Sequence, residues 1–313
     1  MKSLLLTGLL FILILPGCRK ETSILPLLQS VEKLIPMYAD SASVLLDSIQ
    51  APDELTDKDF AHWCMLCGKV TDEAATGLLP IYQWQRAQQW FTEHGTAEEQ
   101  AQIDLYLGRA YVEDGEYDKA MQIYADALQL AKEHQAYNVA GYICAYMADL
   151  YGFRDITSEC LKKREEACEF FKKAENYKSY AYSLKDLAGE WAILDSFACT
   201  IPLLQKADSI SQLLHNKNLT AAIANAFALI YEMQGKYNEA ETAYLKAIST
   251  RSEESYKDSI GLLKVYIKNN KLGKAYELIK AITVHNDIAY SFNQAYYLLY
   301  KAEGKYKEAL HYK

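Results

Sequence analysis

The chain has 313 residues, half of them apolar, and only 6 prolines and 14 glycines interrupt it. It has ample material for a core and little internal punctuation, and no stretch alternates apolar and polar residues with period two, so the composition argues for an all-helical protein. A formal charge of −8, with no basic run interleaved with aromatics, argues against nucleic acid as a partner.

Met1 and Lys2 give a short basic start, and 4–15 is a mostly apolar run too short to span a bilayer. It ends in Leu15-Pro16-Gly17-Cys18, which resembles the bacterial lipobox L-x-G-C. The resemblance implies a signal peptide over 1–17, acylation of Cys18, a polar tether over 18–26 and a membrane anchor. A general secretory signal with an incidental Cys18 is the other reading. Arg19 rather than Asp follows the cysteine, which in the enterobacterial sorting pattern points away from the inner membrane. The expected location is therefore the cell envelope, lipid-anchored at the outer membrane, on an undetermined side.

A short helix is expected from Leu25 to Ile35, closed by Pro36, and a second from Asp40 to Ile49 with Asp40 or Ser41 as N-cap. Thr56 with Asp59 reads as a capping box opening a helix from Asp57 to about Val70. Its partner is expected over Ala74–Glu93, with Pro80 near its first turn and His94-Gly95 at its end. These elements form an N-terminal region over 27–95, followed by a repeat array over 96–313.

The array is legible in Gln102–Lys132, which reads as two amphipathic helices around a turn at Asp114-Gly115-Glu116. Gly108 and Ala120 let the backbones approach, while Leu107, Tyr111 and Tyr124 fill the space beside them. This resembles one tetratricopeptide (TPR) repeat: L-G-x2-Y, then G-x-Y, then A-x3-Y-x2-A-L. The landmark pairs Gly108/Tyr111, Ala148/Tyr151, Ala188/Trp191, Ala228/Tyr231, Leu263/Tyr266 and Tyr297/Tyr300 follow at steps of 40, 40, 40, 35 and 34 residues. A step near 34 is the ordinary length, and 40 implies helices longer by about a turn. The expected architecture is a right-handed α-solenoid of TPR helix pairs. In the second pair, Cys160 and Arg164 fall where a small and a bulky residue are expected. A seven-residue shift to Ala167, Phe171 and Ala174 fits better, with a lengthened connection over Phe153–Ser158.

The opening LLQ-x2-E-x-L…DSA-x2-LLDSI, together with the repeat at 102–132, resembles a family of Bacteroidetes TPR lipoproteins. Longer members of that family continue into a membrane helix and a cytoplasmic helix-turn-helix, as signalling regulators do. By the landmark arithmetic Lys313 falls mid-helix and leaves Tyr306, Ala309 and Leu310 partly uncovered. The expectation is a shortened version of such a regulator.

His62-Trp63-Cys64-Met65-Leu66-Cys67 contains H-x-C-x2-C. Core packing, a disulfide and a metal site are all open to it, and the lack of a strand and of a fourth ligand favours packing. Cys144, Cys160, Cys168 and Cys199 follow no repeat. Most other histidines lie near expected helix ends, where a cation complements the dipole. No nucleophile-elbow, zinc-protease, P-loop or dinucleotide motif occurs, so neither catalysis nor a cofactor or metal is expected.

In a TPR array the first helix of each pair lines a groove. The resemblance places Leu105, Arg109 and Val112 there, with Ala145, Asp149 and Gly152; Lys185, Gly189 and Ala192; and Asn225, Leu229 and Glu232. Arg109, Asp149, Lys185, Asn225 and Glu232 are the candidate partner contacts. The Lys/Asn set that clamps a C-terminal carboxylate is missing, since Leu105 and Arg109 stand in its places. The expected function is a lipid-anchored envelope scaffold binding a protein or peptide. The alternatives are the sensor portion of a signalling regulator and, by fold analogy, an accessory of glycan uptake.

Overall fold

The computed structural model describes residues 24–74, 76–251, 256–282 and 289–312, with backbone alone at 289–291. The leader, Cys18, His285 and Lys313 lie outside the described residues. Every element longer than a turn is helical: sixteen α-helices and no strand among the described residues. None of these helices is long and apolar enough to cross a membrane.

The chain divides into two compact units between Gly77 and Leu78. The first holds α1 (Leu25–Leu34), α2 (Ala39–Asp47), a 3-10 turn at Pro52–Glu54 and α3 (Asp57–Ala74). Leu28, Val31, Ala42, Leu46, Phe60 and Cys64 form its apolar interior. Helix α2 begins earlier than the Asp40 or Ser41 cap implies: its N-cap is Tyr38, and no side chain caps it. The Thr56 hydroxyl does accept from the Asp59 amide at 3.2 Å. Cys64 is fully buried and Cys67 partly so, and burial reinforced by Asp47 pushes the Cys67 thiol well above its ordinary range. The helix expected from Ala74 starts only at Ile81. Ala74 ends α3, and Pro80, which cannot donate an amide, becomes the N-cap of α4 (Ile81–His94).

The second unit begins with α4, whose Trp84 packs on Tyr106 at 5.3 Å between ring centroids. Then come eight helices in strict register: α5 (Ala97–Glu113), α6 (Tyr117–Glu133), α7 (Tyr137–Phe153), α8 (Thr157–Lys173), α9 (Tyr177–Ile193), α10 (Phe197–Leu213), α11 (Lys217–Met233) and α12 (Tyr237–Thr250). Helices α5 to α11 have 17 residues each, and three-residue turns join the series. The lengthened helices expected from the 40-residue step are therefore present. Helix α5 opens with a complete capping box, Thr96 with Glu99. The shorter α13 (Tyr256–Lys268), α14 (Leu272–Ala281), α15 (Ala289–Ala302) and α16 (Tyr306–Leu310) complete the pairs. On α16 Ala309 is buried while Tyr306 and Leu310 are exposed.

The turns repeat one device. A residue with positive φ stands at 115, 135, 155, 175, 195, 215 and 235, then at 270 and 304. The next amide reaches back to the helix carbonyl five residues earlier, as from Glu116 to Tyr111 (2.8 Å) and Lys236 to Tyr231 (2.8 Å). Together with the Gly115 amide on Val112 (3.1 Å), this is the Schellman ending. The carbonyls that accept these bonds within the pairs belong to the landmark aromatics Tyr111, Tyr151, Trp191, Tyr231, Tyr266 and Tyr300.

The connection after α7 is not lengthened. It has the same three residues as the others, and α8 keeps the 40-residue register. Ala120, Cys160, Thr200, Ala240 and Ala275 fill equivalent slots and are all buried. The bulky slot of the same helices holds Tyr124, Arg164, Leu204, Tyr244 and Ile279. The seven-residue shift does not occur: Arg164 keeps the bulky slot, partly buried and paired with Asp149 and Glu190.

Candidate binding groove

The first helices α9 and α11, joined by Arg164 of α8, Leu204 of α10 and Lys268 at the end of α13, line a groove of about 560 Å³. The expected positions Lys185, Gly189 and Ala192 of α9 and Asn225, Leu229 and Glu232 of α11 all contribute to it. The period explains this convergence, because equivalent residues on parallel first helices face the same side. Ile193, Leu229 and Met233 give it exposed apolar surface.

The polar side chains are tied to one another. Arg164 enters from α8 and donates from Nη2 to Oδ1 of Asp149 on α7 at 2.6 Å, with Glu190 on α9 at 3.7 Å. Lys185 pairs with Asp186. Glu232 meets Lys268 at 2.8 Å and accepts from the Tyr244 hydroxyl at 3.4 Å. Asn225 donates to Asp258 at 2.5 Å, and Asp258, buried on α13, also accepts from Arg251 Nε at 3.1 Å. Burial pushes the Asp149 carboxyl above its ordinary value, with Asp186 and Glu190 adding to the effect and Arg164 opposing it.

The structure does not bring all candidates together. Asp149 stands at the edge through Arg164, and Arg109 lies apart on α5. The Arg109 guanidinium packs over the rings of Tyr146 (4.9 Å) and Tyr106 (5.8 Å). Leu105 does not line a groove at all. It is buried in the apolar cluster with Ala101, Tyr124 and Ala140, because a leucine at that position sinks between helices where lysine or asparagine stays at the surface. Asp186, Glu190, Arg164 and Lys268 were not among the candidates. One signal for them existed: a charged residue in a slot that buries its neighbours requires a charged partner on the facing helix.

The site offers hydrogen bonding, charge and apolar contact. Burial pushes the thiol of Cys160 up to about 11 and those of Cys144 and Cys168 up to about 12, which keeps them protonated at neutral pH. No group of three metal-binding side chains converges among the described residues.

Two segments match tetratricopeptide-repeat family models, 107–135 and 220–254. The chain thus carries tetratricopeptide repeats, and its helix pairs are of that type. No curated protein sequence matches it. Among solved structures it is similar to the apo form of RapI, at TM-score 0.66 and 14% identity, covering 92% of this chain and 86% of that one. A Rap protein complexed with Competence and Sporulation Factor gives TM-score 0.63 and 16% identity, covering 92% and 85%. NprR in complex with its cognate peptide NprX gives TM-score 0.57 and 15% identity, covering 93% and 89%. At these identities the likeness is one of fold.

Proposed function

We propose that this protein is a non-catalytic, lipid-anchored scaffold of the bacterial cell envelope that binds an extended segment of a protein or peptide in the α9–α11–α13 groove. The groove itself carries the reading. It runs between α9 and α11 with Lys268 of α13 at one end, is lined by exposed apolar side chains and is rimmed with charges, which is the surface an extended chain needs. Similarity in fold to NprR bound to its cognate peptide supports it. The anchor and the outer-membrane location rest on Leu15-Gly17-Cys18 and on the residue after Cys18.

A second reading, the sensor portion of a signalling regulator, is favoured by the same structural neighbours. Both readings share the groove. The anchoring test is Cys18→Ala: the protein should leave the membrane fraction or fail to mature, and unchanged partitioning without an acyl label would refute the anchor. For the groove, crosslinking pull-down from native envelopes should lose its partner in a Leu229→Asp variant of unchanged melting temperature. Retention of the same partner would place binding elsewhere.

A further inference from the structure

One glycine in the groove has no packing reason to be a glycine. An added Cβ at Gly108, Gly141 or Gly261 would come within 3 Å of an aromatic ring. A Cβ at Gly189 would meet nothing within 4 Å, although the residue sits inside α9. Glycine there costs about 1 kcal/mol relative to alanine. Ala192, Ala222 and Ala226 extend the same open floor. A floor kept bare against helix propensity suits the close approach of another backbone.

The two ends of the groove differ in charge. At the α7–α9 end, the Asp149 and Asp186 side chains are 45% and 36% exposed, while the cations of Arg164 and Lys185 are 12% and 25% exposed. Glu190 adds a third carboxylate against these two cations. At the α11–α13 end the order reverses, with Lys268 47% exposed outside Glu232 at 14%. An incoming chain meets negative charge at one end and positive charge at the other.

Building on the peptide-binding reading, we propose that the groove takes an extended segment with a lysine or arginine at the α7–α9 end and an aspartate or glutamate at the α13 end, its backbone lying over Gly189. Two interhelical steps of about 8–10 Å, at about 3.3 Å per extended residue, place the two charges roughly five to six residues apart. Apolar side chains between them rest on Ile193, Leu229 and Met233.

The test is fluorescence anisotropy on the full-length protein in detergent, with four pools of dye-labelled, end-blocked octapeptides. Second and seventh positions carry Lys and Glu, Lys and Lys, Glu and Glu, or Gln and Gln, with Leu, Ser and Gly mixed between. The Lys/Glu pool should bind about tenfold more tightly than the others. Lys268→Glu should move the preference to the Lys/Lys pool. Gly189→Leu should abolish binding, while Gly189→Ala melts at or above the wild-type temperature. If all pools bind alike and Gly189→Leu abolishes them, the groove reading stands and the charge assignment is overturned. If no pool binds, or Gly189→Leu changes nothing, both fall.

Discussion

The pairs α5–α6 and α7–α8 share helix length, turn and register, yet solve the same packing problem with opposite chemistry. In the first, Tyr124 lies against Gly108 so closely that a Cβ there would stand 2.3 Å from the ring. In the second, Arg164 occupies the tyrosine slot and reaches Asp149 and Glu190 instead of filling an apolar gap. The scaffold fixes a position, and the residue there decides whether it builds core or site. The tyrosine locks two helices of one pair. The arginine bridges α7 and α9, two first helices, and so forms the acidic end of the groove.

Several substitutions sharpen that contrast. Gly108→Leu should cost the most, about 3 kcal/mol or more, because the ring it strikes is itself fully buried. Arg109→Leu beside it should cost under about 1 kcal/mol, the worth of its ring contacts. Thermal or denaturant melts showing the reverse order would refute the packing described. Arg164→Met should cost about 2 kcal/mol at neutral pH, since it strands Glu190 and half-exposed Asp149 without their cation. A melt unchanged from wild type would mean that the arginine is no more than a space filler.

A fourth substitution tests charge inside the regular block. Burial, opposed by a hydrogen bond from Gln88 and aided by Asp126, raises the Asp104 carboxyl to about 6. For an acid with a raised folded value, the unfolded chain ionises first, so folding stability falls as pH rises from about 4 to about 6. The penalty is complete above that window and absent below it. Asp104→Asn keeps an acceptor for Gln88 and should gain about 1–2 kcal/mol at pH 7, flattening the pH profile across the window. An unaltered profile contradicts this assignment. The smallest effect belongs to the turns. Gly115 and Gly235 hold positive φ at no steric cost, whereas Glu175 holds φ 55° with a side chain. Glu175→Gly should gain about 0.5–1 kcal/mol, measurable by denaturant titration, and a loss would show that the side chain does more than cap the turn.

The repeat at 102–132 was readable because its landmarks coincide with local signals, a glycine turn and a glycine–tyrosine contact, and the 40-residue step carried the register to α12. Where tertiary contacts override the local signal, the local pattern misleads. Arg164 looked like a break in register because its partners, Asp149 and Glu190, lie on other helices. Helix α4 starts at Ile81, later than the local pattern implies, since Pro80 can open a helix as its cap or sit in its first turn. Of the candidate contacts, Lys185, Asn225 and Glu232, which the TPR resemblance implies when carried along the repeat register, lie together in the groove. Arg109 does not join them, because it lies on α5, two pairs before α9, with its guanidinium over the rings of Tyr106 and Tyr146.

The central claim, that the α9–α11–α13 face receives the partner, is tested most directly by a photocrosslinking residue placed at Leu229 or Leu245. The two leucines are equally exposed, at 47% and 45%. Leu229 lies in the groove and Leu245 on the second helix of the same pair. In native envelopes, crosslinks at 229 to one defined segment of a partner, with none at 245, are the result expected. Equal crosslinking at both positions, or crosslinking at 245 alone, would contradict it.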